Sequence, residues 1–397
     1  MTINNEHKKL NVPNLRFPEF QGEWEELGLS EFLDFKNGLN PKPDKFGKGI
    51  KFISVMDILN NAVITYDCIK ASVDVTEKEL SDFSVEKGDM LFQRSSETLE
   101  DVGRANVYMD DKTAVFGGFV IRGKRKGEYD PQYFNYLLRS PFARKRIIPM
   151  GAGAQHFNIG QEGLSKVKLH FANIEEQKKI GKMLSLLDER IATQNKIIDK
   201  LQSLIKGIVD CTILRKEKKA IVGDVCSISE QIRAEANIDD IITVRLHGNG
   251  VCKSSAENLQ LGATQYYRRR AGQLIYGKQN FHNGAIGIVP ISLDNGITSK
   301  DIPSFDIDEM KCNSVYLLAQ LQSPQYYKPA EALTTGTGSK RLKEETFLKM
   351  PIVLPNKREQ DNIAVLIHRA SMNLDHAKRL LELLSIQKQY LLRQMFI

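Results

Sequence analysis

One tryptophan, Trp24, stands in 397 residues, and five cysteines lie scattered at positions 68, 211, 226, 252 and 312 without a CxxC pair. That usage excludes a disulfide framework and a zinc knuckle and fits reduced thiols. No stretch of about 18 apolar residues occurs, so no membrane span is expected. The opening MTINNEHKKLNVPNL lacks the apolar core of a secretory signal, so a cytoplasmic location is expected. No G-x-x-x-x-G-K-S/T loop is present, and the glycine-rich stretch 336–340 is too short to cradle a nucleotide. Asp130-Pro131-Gln132-Tyr133 falls one residue short of the D/N-P-P-Y/F loop that holds a base amino group in adenine methyltransferases. It sits where a helix N-cap and a first-turn proline are expected. Asp294, Glu309 and Lys311 have only a loose nuclease-like spacing, and the seven histidines show no paired ligand spacing. Neither a catalytic residue nor a metal site is expected. The lone tryptophan is read as core.

What is present is repetition. Asn173, Glu176, Gln177 and Ile180 recur, at one constant offset, as Asn356, Glu359, Gln360 and Ile363. The same offset carries Leu91 onto Leu274, Tyr133 onto Tyr316, and Ser140-Pro141 onto Ser323-Pro324. The period is far longer than the roughly 20–50 residues of a solenoid unit. The chain therefore reads as two copies of one module, each ending in a long helix.

Those helices carry heptad seams. In the first, Leu184, Ile191, Ile198 and Ile205 take one position, with Leu187, Gln194, Leu201 and Ile208 three residues on. In the second, Ile367, Leu374, Leu381 and Lys388 alternate with Ala370, Ala377, Leu384 and Leu391. Lys388 is the weak point, where splaying or fraying is expected. Each seam could pack on its own domain, but equal length and phase favour mutual pairing. Ahead of each helix the pattern is mixed. Runs such as IKFISVMDI, DMLFQ, TAVFGGFVI, GQLIYG and AIGIVPI predict short strands. DPQYFNYLLRS predicts a helix capped by Asp130 and stopped at Ser140-Pro141, and a second helix is predicted over 313–322.

The net charge of +7 suits a polyanionic partner. Base edges are read by Arg, Lys, Asn, Gln, Ser and Thr, and phosphates by Arg, Lys and backbone N–H groups. In the first module the candidate readers are Gln93, Arg94, Ser95, Ser96, Arg104, Gln155 and His156. In the second they are Arg268, Arg269, Lys278, Gln279, Asn280, His282, Ser339, Lys340 and Arg341. Gly153 and Gly336 align at the common offset, which puts a glycine loop at the same place in both modules.

With these pieces in order, the chain resembles the specificity subunit of a type I restriction–modification system. FANIEEQKKIGKMLSLLDERI and LPNKREQDNIAVLIHRASMNL match its helix entries. VPNLRFPEFQGEWEELGLSEF resembles its opening. LFQRSSETLEDVG, AVFGGFVIR and YLLRSPFARKRI resemble stretches of its target-recognition domains. The resemblance implies an α+β fold: two β-rich mixed target-recognition domains separated by two long helices that pair as an antiparallel coiled coil. Its divisions would be a flexible 1–12, domains over 13–172 and 216–355, and spacer helices over 173–215 and 356–397. Each domain would read half of a bipartite, asymmetric double-stranded DNA site. The helices would dock two modification (methyltransferase) subunits. Restriction/translocase subunits would complete the complex. S-adenosylmethionine, ATP and Mg would belong to those partners, with no cofactor on this chain. The competing reading is a coiled-coil DNA-binding or scaffold protein outside restriction–modification.

Overall fold

The computed structural model describes residues 11–153, 155–254, 264–336 and 340–397. The chain divides into two compact units. One comprises the residues up to Asn195 together with Leu380–Ile397, and the other Lys196–Arg379.

The first unit is built on a four-stranded antiparallel sheet in the order Leu33–Asn37, Val120–Arg125, Met90–Gln93, Ala105–Val107. The second unit repeats that order with Cys226–Ile228, Ser304–Ile307, Leu274–Tyr276 and Ile286–Ile288. Against each sheet lies a short helix, Pro131–Arg139 or Ser314–Leu321. Asp130 caps the first by accepting from Tyr133 N, and Asn313 caps the second. Phe134, Leu137 and Leu138 are fully buried. Ser140 starts a further helix, Pro141–Ile147, as Ser323 does for Pro324–Tyr327. One predicted strand is split. IKFISVMDI ends as strand at Ile53 and turns into the helix Val55–Asn60. There Asp57 accepts from both the backbone N–H and the hydroxyl of Ser54, a local cap that overrides the β-branched run.

The repeated N-x-x-E-Q segment has a physical role. Asn173 and Asn356 accept, through their side chains, from the backbone N–H of Glu176 and Glu359, and so open the long helices. Gln177 donates to Ala172 O at 2.8 Å and accepts from Asp130 N at 3.0 Å. Gln360 donates to Pro355 O at 2.8 Å and accepts from Asn313 N at 2.9 Å. Both glutamines are buried, and each ties a long helix to the cap of its domain helix. Glu176 is buried as well, paired with Arg16 at 2.8 Å and accepting from Trp24 Nε1 at 3.3 Å. Trp24 is a core residue, as expected, 3% exposed and edge-on to Tyr133 and Phe396.

The long helices span Ile174–Val209 and Lys357–Gln394. Each would measure about 54–57 Å at 1.5 Å per residue. Every predicted seam position is buried or half-buried. In the first unit Ile180 and Leu184 share a core with Leu391, Met395 and Phe396, so the two segments run antiparallel. In the second unit Val209 and Ile213 share a core with Ile363 and Ile367, again antiparallel. Lys388 does not splay the helix, which continues to Gln394. Its ammonium pairs with Asp188 at 2.5 Å, and Asp188 also accepts from the Tyr136 hydroxyl. The cation is thus matched in the seam instead of repelled from it. Among the described residues no helix is long and apolar enough to cross a membrane.

Replacing Gln177 by Leu strips partners from the Asp130 N–H and the Ala172 carbonyl in a buried setting. The first unit is expected to lose about 2–4 kcal/mol in denaturant unfolding, and Gln360→Leu should act alike on the second.

Candidate nucleic-acid interface

Two loops far apart in the sequence of the first module form one ribbon. Ser95-Ser96 pair antiparallel with Phe157-Asn158. Ile159 N donates to Arg94 O, and the Ser95 hydroxyl donates to the Asn158 side chain. The ribbon therefore gathers Arg94, Ser95, Ser96, Gln155 and His156, the last two exposed. Arg94 is partly buried and reaches Gly118 O at 3.3 Å. Ala152 and Asn158 exchange two backbone hydrogen bonds and close the loop. Gly153 sits at φ 143°, where a Cβ would collide with His156 O, so only glycine fits.

The second module closes the equivalent loop in the same way. Thr335 and Arg341, the counterparts of Ala152 and Asn158 at the common offset, exchange both backbone bonds, and Gly336 takes φ 119°. Leu342 N donates to Lys278 O, and Lys278 N to Asp301 O. The loop at 277–284 is thereby held beside the hairpin, bringing exposed Gln279 and Asn280 near Lys340 and Arg341. The cations here are matched by acids. Lys278 pairs with Glu344 at 2.6 Å, Lys340 with Glu331 at 2.7 Å and Arg341 with Asp301 at 3.2 Å. The Lys340 partnership holds the Glu331 carboxyl below its usual range. His282 is half-buried, and its Nδ1 is buried without a hydrogen-bond partner. Ser339 lies outside the described residues.

Three expected readers stand apart. Arg269 is 0% exposed. Its guanidinium donates to Thr298 Oγ1, Ser304 Oγ and Ile302 O at 2.7–2.9 Å. Burial pushes its pKa down to about 10, so it stays charged at neutral pH. The basic run 268–270 leaves a strand that spans Tyr266–Arg268. Successive side chains along extended backbone face opposite ways, which sends the middle arginine inward and leaves Arg268 and Arg270 exposed. Gln93 is 5% exposed, and its amide donates to Ser95 O at 2.9 Å, so it is not a surface reader. Arg104 pairs with Asp101 at 2.6 Å and faces a separate cavity with Arg139 and Arg144. What sequence reasoning missed beside the ribbon is apolar: Phe119, 69% exposed, and Met56, 60%. The signal available was an aromatic directly after the Gly117-Gly118 pair. Among the described residues no group of His, Cys, Asp or Glu could hold a metal ion.

The two units thus share one sheet order, one helix-entry clamp and one closed glycine loop. Comparison with known proteins shows what that architecture is similar to. Residues 21–203 match the type I restriction modification DNA specificity domain family. Over 208 residues the chain is 27% identical to a Methanocaldococcus jannaschii sequence described as the MjaX type I restriction enzyme specificity subunit, covering 51% of this chain. The chain spans about half the length of that relative, 48%. The MjaVIII type I restriction enzyme specificity subunit of the same organism is 21% identical over 383 residues, covering 88% of this chain and 86% of the relative. The S subunit of a type I restriction–modification system from M. genitalium has the same fold. It superposes with a TM-score of 0.63 at 14% identity, covering 97% of this chain and 99% of that one. The chain is similar to type I restriction–modification specificity subunits, and residues 21–203 carry the match to their DNA specificity domain.

Arg269→Ala is expected to destabilise the second unit by about 2–4 kcal/mol in denaturant unfolding, because it orphans buried acceptors. Arg268→Ala, on the surface, should shift it by under about 0.5 kcal/mol.

Proposed function

We propose that this chain is the addressing subunit of a modification complex, and that each unit reads one half of a bipartite, asymmetric DNA site. The repeated closed loop carries the reading. It recurs at the same offset, held by the same pair of backbone bonds, and its side chains differ between copies: Phe157 and Asn158 in one, Lys340 and Arg341 at the matching positions of the other. A scaffold of constant backbone with variable side chains suits independent readers, since base contacts specify while phosphate contacts position. The reader domains correspond to residues 13–172 and 216–355.

Chemistry belongs to partners. Two methyltransferase subunits would bind S-adenosylmethionine and modify adenine, and restriction/translocase subunits would use ATP and Mg. Docking is supported by the outer faces of the long helices. Leu383, Ile386 and Tyr390 are 55–58% exposed in the first unit, although their helix buries its seam. In the second unit Val365, Leu366 and Met372 are 46–52% exposed. Apolar side chains grouped on a helix face mark a protein contact.

Exchanging residues 216–355 for the matching segment of a relative with another target should change one half of the methylated motif and leave the other, as read by methylome sequencing. A change in both halves would overturn independent reading. Leu383→Glu with Ile386→Glu leaves the seam intact and should abolish copurification with the modification subunits. Unimpaired assembly would remove the helices from the docking surface.

A further inference from the structure

Beside the reader ribbon the first unit holds a cavity of about 610 Å³. Phe46, Phe52, Phe119 and Met56 supply its apolar walls, and Ser95, Ser96 and His156 of the ribbon form its rim. Phe119 and Phe46 are 69% and 42% exposed, so aromatic faces stand open to whatever enters. Gly117 and Gly118 keep one wall flat. A Cβ on Gly117 would come within 2.6 Å of the Phe52 ring, and one on Gly118 would collide with Asn40 Oδ1.

The cavity has one specific polar demand. Gln93 lines it and is 5% exposed. Its Nε2 donates to Ser95 O, which fixes the orientation of the amide. Its Oε1 is left buried without a hydrogen-bond partner. A buried acceptor that has lost water and gained nothing is costly, and an N–H or O–H donor on the occupant would satisfy it. The open faces of Phe46 and Phe119 suit a planar ring. An aliphatic chain meets neither condition. In the second unit the position equivalent to Gln93 is Tyr276, fully buried with its hydroxyl donating to Leu342 O.

The geometry points to a pocket for an unstacked nucleobase. An adenine or cytosine of the half-site read by the first unit leaves the duplex, stacks against Phe119, and donates its exocyclic amino group to Gln93 Oε1. This rests on the chain being a DNA reader and adds how one of its two domains reads. Extrusion costs unpairing and unstacking. Stacking on an aromatic side chain and the new hydrogen bond offset it.

The test uses the full chain assembled with its modification subunits, on the motif that methylome sequencing yields. Duplexes carry one mismatched pair at each position outside the methylated adenines, and affinity is read by competition anisotropy. A mismatch ordinarily weakens specific binding. At one pair of the first half-site, and none of the second, it is expected to tighten binding several-fold, because the base is already unpaired. Phe119→Ala, an exposed position, should cost about tenfold and abolish that gain. Gln93→Leu should remove the sensitivity to deleting the amino group, as in purine for adenine or 2-pyrimidinone for cytosine. If every mismatch weakens binding, or if the gain survives Phe119→Ala, the pocket holds no base, while sequence-specific binding leaves the reader function standing. Absence of sequence-specific binding by the wild-type complex overturns both. Should Gln93→Leu fail to fold, the Phe119 arm decides alone.

Discussion

Everything in this chain hangs on two buried glutamines. Gln177 and Gln360 each accept from the N–H of a helix-capping residue and donate to the carbonyl that lies just ahead of their own helix, Ala172 or Pro355. A long amphipathic helix has little reason of its own to leave a domain at a set angle. A buried amide with both ends satisfied supplies that reason, because any other exit angle would leave polar groups in the core unpaired. The same clamp occurs in both units with the same partners by position, so the two helix exits are defined by one chemistry.

Much of this was legible in the sequence because it depends on period and spacing. The heptads marked which helix faces are buried, and the constant offset between modules located the clamp, the paired Ser-Pro breaks and the glycine loops. The antiparallel sense was not in the heptads; it came from family resemblance. Side-chain direction within short irregular strands was not legible either. Arg268, Arg269 and Arg270 read as one basic run, yet the pleat turns its centre into a hydrogen-bonded core position. Lys388 read as a flaw because a seam position says nothing about what stands opposite; Asp188, on the other long helix, stands there. Pairing of Ser95-Ser96 with Phe157-Asn158 is equally non-local, so two candidate sites in the sequence became one in space.

The candidate surface of the second unit is also less cationic than its sequence suggests. Lys278, Lys340 and Arg341 each have a carboxylate partner within 3.2 Å. The two exposed pairs, at Lys340 and Arg341, contribute little to stability, but all three hold long side chains in place and must be exchanged if a phosphate is to bind.

The make-up of the first unit sets an order of events during synthesis. Its core includes Met395 and Phe396, with Phe396 against Trp24 and Tyr133. The second unit is a single continuous segment, Lys196–Arg379. Emerging from the ribosome, the second unit can close while the first, begun earlier, still lacks its last core residues. A chain cut before Met395 would therefore spoil the domain made first and spare the one made second.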